Sequence, residues 1–579
     1  MAKVRPDDVV GQGYLGNLGL KKDLFMKNFF LGFMVLFLIS AVEGEGGEHF
    51  KSVDELGPVV SRNGHLYYAR RGDRARFIGA SIFTNLPDDR LLDDRTALVM
   101  AKYGQNLMRF HCHGSFYAYQ GQETVLKFNA KWLDDLDRMV AAARKYGIYF
   151  SLSVLDNLKS RADGDAFAEP FFPGDQLEEW KKADISGTGD PRYLAIYRKI
   201  VENFLNHVNP YTRLAYKDEP AFLYFQIFNE SNFGYDLTVN SRNLPDNPYN
   251  RKWVNHFWGE FLKVKYGSPK AAVQAWKLPA DSPSTIWFRT WRNEAEMQDI
   301  IEFGEWYDLK TYHDFKQQID KQCKRDVPVM LAQLQTYPRN LYTQTKTNLG
   351  GFHVYFGFSA FLSKVEGVPL LQDEVLPFGS NGFEFDADRT FWGQNDNRIV
   401  SVPTTAAVSA LHDLDGIAYF VSHWGWFAAV AKNPDPMRPS FEDSGVNCYA
   451  VISDPIHRAM LKVAANIFRR ADLLPPPKRL IVRQTPERLC KLDQVPRTGE
   501  NAYPPDWVFY DRPFLESKMF DYCISNRFVD EQPPIVENGP DQNLEPKQFW
   551  ADFRSTGTLP GNYPKGWQFK IDTLRTQGF

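Results

Sequence analysis

The stretch Phe222–Asn232 reads FLYFQIFNESN and runs from an apolar, aromatic-rich segment directly into an amide and a carboxyl group, Asn229 and Glu230. Residues of this type are typical of a buried β-strand. Two long helical stretches, about 249–266 and 292–322, follow it. A buried strand followed by helices is the repeating unit of a parallel α/β sheet, so this stretch predicts an α/β fold.

The same pattern recurs along the chain. Seven further runs are predicted as strands: Arg76–Ala80, Asn106–Phe110, Ile148–Leu155, Pro328–Gln333, Phe352–Phe356, Pro369–Asp373 and Gly416–Val421. Other helices are predicted near 88–103, 130–146, 196–208, 402–413 and 455–470. Eight alternating units predict a (β/α)₈ TIM barrel with large loop insertions over residues 46–474. A doubly wound sheet is the alternative, but no GxGxxG follows the first predicted strand and no GxxxxGK[ST] occurs in the chain, so its nucleotide-binding forms lose support.

The two ends of the chain differ from the barrel. Residues 1–45 contain the apolar run 29–42, FFLGFMVLFLISAV, which is shorter than the ~20 residues of a membrane span and fits the core of a signal peptide. We therefore expect Met26 to be the true start and the protein to be secreted, periplasmic or extracellular, with an uncleaved N-terminal anchor as the alternative. Residues 475–579 begin with three prolines and are predicted to be a small C-terminal extension or a partial β-type accessory module.

Composition excludes several classes of partner. The chain of 579 residues carries 68 basic and 71 acidic side chains, so its net charge of -3 lacks the positive excess that phosphate backbones require. Nucleic acid is therefore not an expected partner. The five cysteines show no CxxC spacing, and we expect neither a disulfide framework nor a metal knuckle.

Two carboxyl groups follow predicted strands at the end of the barrel where active sites form. Glu230 follows the fourth strand and Glu374 follows the seventh. Two carboxyl groups about 5–5.5 Å apart can cleave a glycoside with retention, one as nucleophile and the other as acid/base. Asp373 is the local rival of Glu374, and because side chains alternate along a strand only one of the two is expected to face the mouth.

The longer stretch Asn209–Asn232, NPYTRLAYKDEPAFLYFQIFNESN, resembles the fourth-strand signature of the clan A glycoside hydrolases, especially the family 5 cellulases and mannanases. The resemblance implies that Glu230 is the acid/base, that Asn229 contacts the sugar 2-hydroxyl and that Glu374 is the nucleophile. It also implies roles in charge, orientation or sugar stacking for further residues: Arg109, His353, Tyr355, Trp424 and Trp426. The implied activity is hydrolysis of a β-mannan or β-glucan type carbohydrate, without metal or organic cofactor.

Two alternatives stay open. The chain has Asp156-Asn157 where the family usually has a histidine after the third strand, and Val375-Leu376-Pro377 where the nucleophile is commonly followed by Phe-Gly. These departures are compatible with a catalytically silent carbohydrate-binding barrel. The pair His111 and His113 has the spacing of metal-binding histidines in amidohydrolase barrels, but it follows the second strand rather than the first. His353 is available as a later ligand, but no lysine ends the fourth strand and the fifth ends in Gln333-Leu334-Gln335, so we predict instead that His111 hydrogen-bonds the substrate or the nucleophile.

Overall fold

The computed structural model describes most of the chain between residues 50 and 484 and short pieces beyond it. The described ranges are 50–82, 90–110, 127–153, 191–229, 233–234, 248–286, 291–333, 342–354, 364–365, 367–375, 398–419, 455–484, 522–528, 536–537, 571–572 and 577–578. The chain divides into one compact unit of residues 50–568 and another of residues 1–49 with 569–579. In the latter, the described residues form an antiparallel pair between Ile571–Asp572 and Gln577–Gly578.

The larger unit begins with a short helix and a hairpin. Helix α1 (Val53–Leu56) starts at a capping box in which Ser52 and Glu55 exchange side-chain and backbone hydrogen bonds. Strands β1 (Val59–Arg62) and β2 (His65–Tyr68) then pair antiparallel.

Eight parallel strands form the central sheet in the order β7-β6-β5-β4-β3-β11-β10-β8. They are β3 (Phe77–Ile82), β4 (Leu107–Phe110), β5 (Tyr149–Ser153), β6 (Phe222–Asn229), β7 (Val329–Gln333), β8 (Gly350–Val354), β10 (Leu370–Val375) and β11 (Gly416–Tyr419), with the two-residue β9 (Lys364–Val365) in another sheet. Each of the eight predicted runs overlaps one of these strands. The predicted (β/α)₈ barrel is therefore confirmed.

Helices connect the strands, as a parallel sheet requires. They are α2 (Arg90–Lys102), α3 (Ala130–Lys145), α4 (Pro191–Asn206), α5 (Pro248–Tyr266), α6 (Pro269–Ala275), α7 (Glu294–Cys323), α8 (Arg398–Leu411) and α9 (Pro455–Phe468). All but α6 were predicted from apolar periodicity. Helices α5, α6 and α7 form one large insertion between β6 and β7. Among the described residues, no helix has the length and apolar character needed to cross a membrane.

The seam between β7 and β8 closes the barrel. One parallel bridge joins Met330 of β7 to Leu349, which directly precedes β8. Beside it, the fully buried side-chain amide of Gln344 donates to Gly351 O and accepts from Gly351 N, both at 2.8 Å. The Gln344 amide thus satisfies the backbone edge of β8 much as a neighbouring strand would.

The hairpin β1–β2 covers the N-terminal end of the barrel. Asp415, immediately before β11, accepts hydrogen bonds from Leu66 N and Leu370 N at 3.2 Å and lies 3.0 Å from His65 Nδ1. The Tyr68 ring contacts Tyr149 at the start of β5, with ring centroids 5.8 Å apart. Since this end is closed, the opposite end, where the strands terminate, is the one available for a site.

A second sheet lies in the C-terminal part of the larger unit. Strands β12 (Lys478–Gln484) and β13 (Tyr522–Phe528) are parallel, and β14 (Val536–Glu537) is antiparallel to β12. The strand β9 completes this sheet by pairing with β13. The described part of the predicted extension therefore contains strands, and β9, one of their partners, comes from the segment between β8 and β10.

Candidate active site

A cluster of buried polar side chains lies inside the barrel. Strand register aligns Ser81, Arg109, Ser151 and Tyr224 on four neighbouring strands, and all four are at least 99% buried. The Arg109 guanidinium donates to Ser81 Oγ at 3.1 Å and to Gln226 Oε1 at 3.2 Å. The second contact passes from β4 to β6 across β5, which identifies this row as the inner face.

Strand β6 contains a β-bulge that exchanges its inner and outer faces. Phe150 pairs with Phe222, but the next residue of β5 pairs with Tyr224, so Leu223 is the extra residue. Before the bulge, Phe222 lies 6.3 Å from Phe204 of α4, in the layer between sheet and helices. After it, Tyr224 and Gln226 belong to the inner row. The bulge therefore gives β6 an apolar outer start and a polar inner end.

Strand β10 contains a second bulge, at the residues that compete for the role of nucleophile. Gln372 pairs with Phe352, and Glu374 pairs with His353, which leaves Asp373 as the extra residue. The pairing with β11 shows the same shift between Gln372 and Val375. Simple alternation from Leu371, whose partner on β11 is Gly416, would put residue 373 in the inner row. The bulge puts Glu374 there instead.

The inner row of β10 follows from its neighbours. Gly416 pairs with Phe77, two residues before Gly79 on the strand that carries Ser81. Residues two apart share a face. The row that contains Leu371, Gly416 and Ser81 is thus continuous with the Arg109 row, and Glu374 joins it at the end of β10 where a barrel active site is expected.

The predicted site residues fall into three groups. Arg109 is described fully and lies inside the barrel. For Asn229, His353 and Glu374 the structure describes the backbone: His353 is the register partner of Glu374, and Asn229 ends β6 beside Gln333. The remaining predicted residues lie outside the described ranges: Glu230, His111, Tyr355, Trp424 and Trp426.

Asn229 lies three residues after Gln226, and side chains alternate between the two faces of a strand. The backbone position of Asn229 therefore belongs to the outer face of β6. Its contact with a sugar hydroxyl stays a prediction. The backbone thus brings Arg109, His353 and Glu374 into one inner register, three of the predicted residues.

Phe233 and Gly234, in the connection after β6, are held by helix α7 of the insertion. Phe233 is 98% buried and packs on Phe303 and Tyr307 of α7, with ring centroids 5.3 and 4.4 Å away. Asp308 of the same helix accepts hydrogen bonds from the backbone nitrogens of Phe233 and Gly234, at 2.9 and 3.1 Å. These residues were not predicted. The only local signal for them is a glycine, Gly304, inside an otherwise regular helix.

The comparisons with known proteins agree with this architecture. Part of the chain is 28% identical over 161 residues to mannan endo-1,4-beta-mannosidase 4 from Solanum lycopersicum, covering 26% of this chain and 37% of the relative. It is 30% identical over 118 residues to mannan endo-1,4-beta-mannosidase 1 from Oryza sativa subsp. japonica, covering 19% of this chain and 25% of the relative. These alignments confirm the predicted similarity to mannanase-type glycosidases, and the chain spans little more than a third of these relatives at most.

Fold comparison supports the barrel. The crystal structure of beta-galactosidase from Bacillus circulans sp. alkalophilus superposes with a TM-score of 0.51 at 12% identity, covering 79% of this chain and 65% of that one. No protein-family model matches the chain.

Proposed function

We propose that the protein is a retaining β-glycosidase acting on a β-mannan or β-glucan type polysaccharide or oligosaccharide, with Glu374 as nucleophile and Glu230 as acid/base. The observation that carries this proposal is the bulge at Asp373, because it selects Glu374 for the inner row and pairs it with His353. Bulges are enriched beside active sites, where they redirect a side chain. The similarity to two mannanases favours mannan among the β-glycans.

The proposed reaction proceeds in two displacements. The Glu374 carboxylate attacks the anomeric carbon while the bond to the leaving oxygen breaks, and Glu230 gives its proton to that oxygen. Water then attacks the same carbon, Glu230 takes a proton from the water, and the bond to Glu374 breaks. Two inversions yield a product of unchanged anomeric configuration, so no oxidant or cofactor enters the balance.

Arg109 supplies positive charge to this site in the proposal. Arg109 is 99% buried, and its guanidinium donates to the neutral side chains of Ser81 and Gln226, which hold it in place. A nearby positive charge favours the ionised form of a carboxyl group. Arg109 would thus keep the nucleophile ionised at neutral pH. A lysine at this position would not reproduce the two directed hydrogen bonds that the planar guanidinium makes to Ser81 and Gln226.

The other predicted residues are assigned to substrate binding. His353 is in register with Glu374 and is proposed to contact the sugar at the same strand level. Asn229, His111 and Tyr355 are proposed to hydrogen-bond the sugar or the nucleophile. Trp424 and Trp426 are proposed to stack on pyranose rings, since aromatic faces offer apolar area to the C–H groups of a sugar.

Hydrolysis of defined β-1,4-linked manno- and gluco-oligosaccharides tests the proposal, with the anomer of the first product read by ¹H NMR. Glu374→Gln and Glu230→Gln are each expected to lower kcat on the natural oligosaccharide by ~10³-fold or more while the fold is kept, by analogy with other groups that form or break bonds. Asp373→Asn is the matched control: it changes the neighbouring carboxyl group and is expected to retain most of the wild-type kcat.

Three results would decide against the proposal. A Glu374→Gln variant with full turnover, together with an inactive Asp373→Asn variant, would assign the nucleophile to Asp373. Binding of oligosaccharides without any turnover would favour a silent carbohydrate-binding barrel. Activity that a chelator abolishes and Zn²⁺ restores would favour the metal-dependent amidohydrolase.

A further inference from the structure

The helical insertion α5–α7 has an aromatic core of its own. Trp258 and Trp276 stack with ring centroids 5.8 Å apart, and the Trp276 indole donates to Asp299 of α7 at 2.7 Å. Phe233, from the segment after β6, belongs to the same cluster of buried residues. The insertion is therefore packed against the chain three residues beyond Glu230, and its position and that of this segment are coupled.

The Asp308 carboxylate fixes the backbone of this segment. The side chain is 97% buried on α7, and its two oxygens accept separately from Phe233 N and Gly234 N. Two hydrogen bonds from consecutive backbone nitrogens to one carboxyl group define both the position and the orientation of the segment.

A close backbone approach provides the third contact. A Cβ atom added at Gly304 of α7 would lie 2.6 Å from Gly234 Cα, and one added at Gly234 would lie 2.8 Å from Asp308 Oδ2. Both positions thus require glycine for the two backbones to meet. Gly259 of α5 differs, because a Cβ atom there would have nothing within 4 Å.

We propose that Gly304 and Asp308 are positioning residues that set the location of Glu230 through the segment Phe233–Gly234, whereas the rest of the helical insertion has a structural role. This inference rests on the proposed role of Glu230 as acid/base. A proton donor must lie within hydrogen-bond reach of the leaving oxygen, and a displacement of about 1 Å can cost ~10²-fold in rate.

The test uses the dependence of the first displacement on the leaving group. Substrates are two aryl β-mannobiosides, one with a 2,4-dinitrophenyl group that leaves without a proton and one with a phenyl group that needs the proton from Glu230. Gly304→Ala is expected to lower kcat/KM on the phenyl substrate by ~10- to 100-fold and to change it little on the dinitrophenyl substrate. Glu230→Gln should show the same selectivity, more strongly.

Gly259→Ala is the matched control. Both substitutions add one methyl group to a helix of the insertion and both improve helix propensity by up to ~1 kcal/mol, but only Gly304→Ala displaces the segment. The control should keep the wild-type ratio between the two substrates and gain stability. A general loss of folding would lower kcat/KM on both substrates equally.

A second pair of variants removes the carboxylates. Asp308→Ala should show the same selectivity for the phenyl substrate, whereas Asp299→Ala, which removes another buried carboxylate of α7, should lower stability and leave the ratio unchanged. Equal losses on both substrates, or no loss, in a folded Gly304→Ala or Asp308→Ala protein would overturn the positioning role. If Glu230→Gln itself shows no selectivity, the proposed function fails instead.

Discussion

Gln344 provides a test of how the barrel is closed. Its amide donates to Gly351 O and accepts from Gly351 N, both at 2.8 Å, at the seam where the bridge between Met330 and Leu349 joins β7 to the β8 segment. The side chain is fully buried. Gln344→Leu keeps the approximate volume of the side chain and removes both the donor and the acceptor.

The expected cost follows from the two backbone groups that lose their partner. Gly351 N and Gly351 O would remain buried, and each unsatisfied group costs about 1–3 kcal/mol. The added apolar surface of leucine offsets part of this by roughly 1 kcal/mol. We therefore expect the free energy of unfolding to fall by about 1–5 kcal/mol, a large share of the 5–15 kcal/mol that is typical of folded proteins.

Urea unfolding followed by tryptophan fluorescence measures this change, with the m-value as a check that the same surface unfolds. Gln298→Leu is the matched control, because Gln298 is exposed on α7 and its replacement should change stability by less than ~0.5 kcal/mol. Gln344→Leu should also lower kcat, because the seam between β7 and β8 lies between β6, which precedes Glu230, and β10, which carries Glu374. Equal stabilities of the two variants would refute the role of Gln344 in closing the barrel.

Two further predictions concern buried ionisable groups. Burial raises the pKa of Asp308 to about 8, against two backbone donors that oppose the rise, so between about pH 4 and 8 the folded state holds a proton that the unfolded state has released. The free energy of unfolding should then fall by up to about 1.4 kcal/mol per pH unit as the pH rises through this range, and Asp308→Asn should reduce that slope. Equal slopes of unfolding free energy against pH in the wild-type and Asp308→Asn proteins would contradict this. Burial also raises the pKa of the Cys323 thiol to about 11, so peptide mapping after iodoacetamide treatment at pH 8 should find Cys323 labelled in urea and nearly unlabelled in the folded protein.

The strands and helices were predictable because each depends on local periodicity. The run Phe222–Phe228 became β6 (Phe222–Asn229), and the stretch 292–322 became α7 (Glu294–Cys323). These features need no information about which strands are neighbours.

The bulges could not be predicted, because a bulge is a property of two paired strands. Alternation indicated that only one of Asp373 and Glu374 faces the mouth, but it could not identify the one without the register of β10 against β8. The contact of Asp308 with Phe233 joins residues 75 positions apart and leaves no local pattern. The sequence left open whether residues 475–579 form a β-type module and did not locate β12 and β13 for a related reason: β13 pairs with β9, more than 150 residues earlier in the chain.

The two bulges have a common physical consequence. A one-residue slip of a whole strand would exchange all its faces and bring its apolar residues into the wrong layer. A bulge confines the exchange to one part of the strand, so β6 keeps Phe222 packed against α4 at its start and presents Gln226 to Arg109 near its end. In β10 the bulge lies later, and the residues before it keep their pairing with β8 and β11 while Glu374 enters the inner row. The strand starts thus serve the hydrophobic layer between sheet and helices, and the strand ends are free to carry polar residues. The same two unpaired positions, Leu223 and Asp373, should therefore matter for catalysis through the backbone that they redirect rather than through their own side chains.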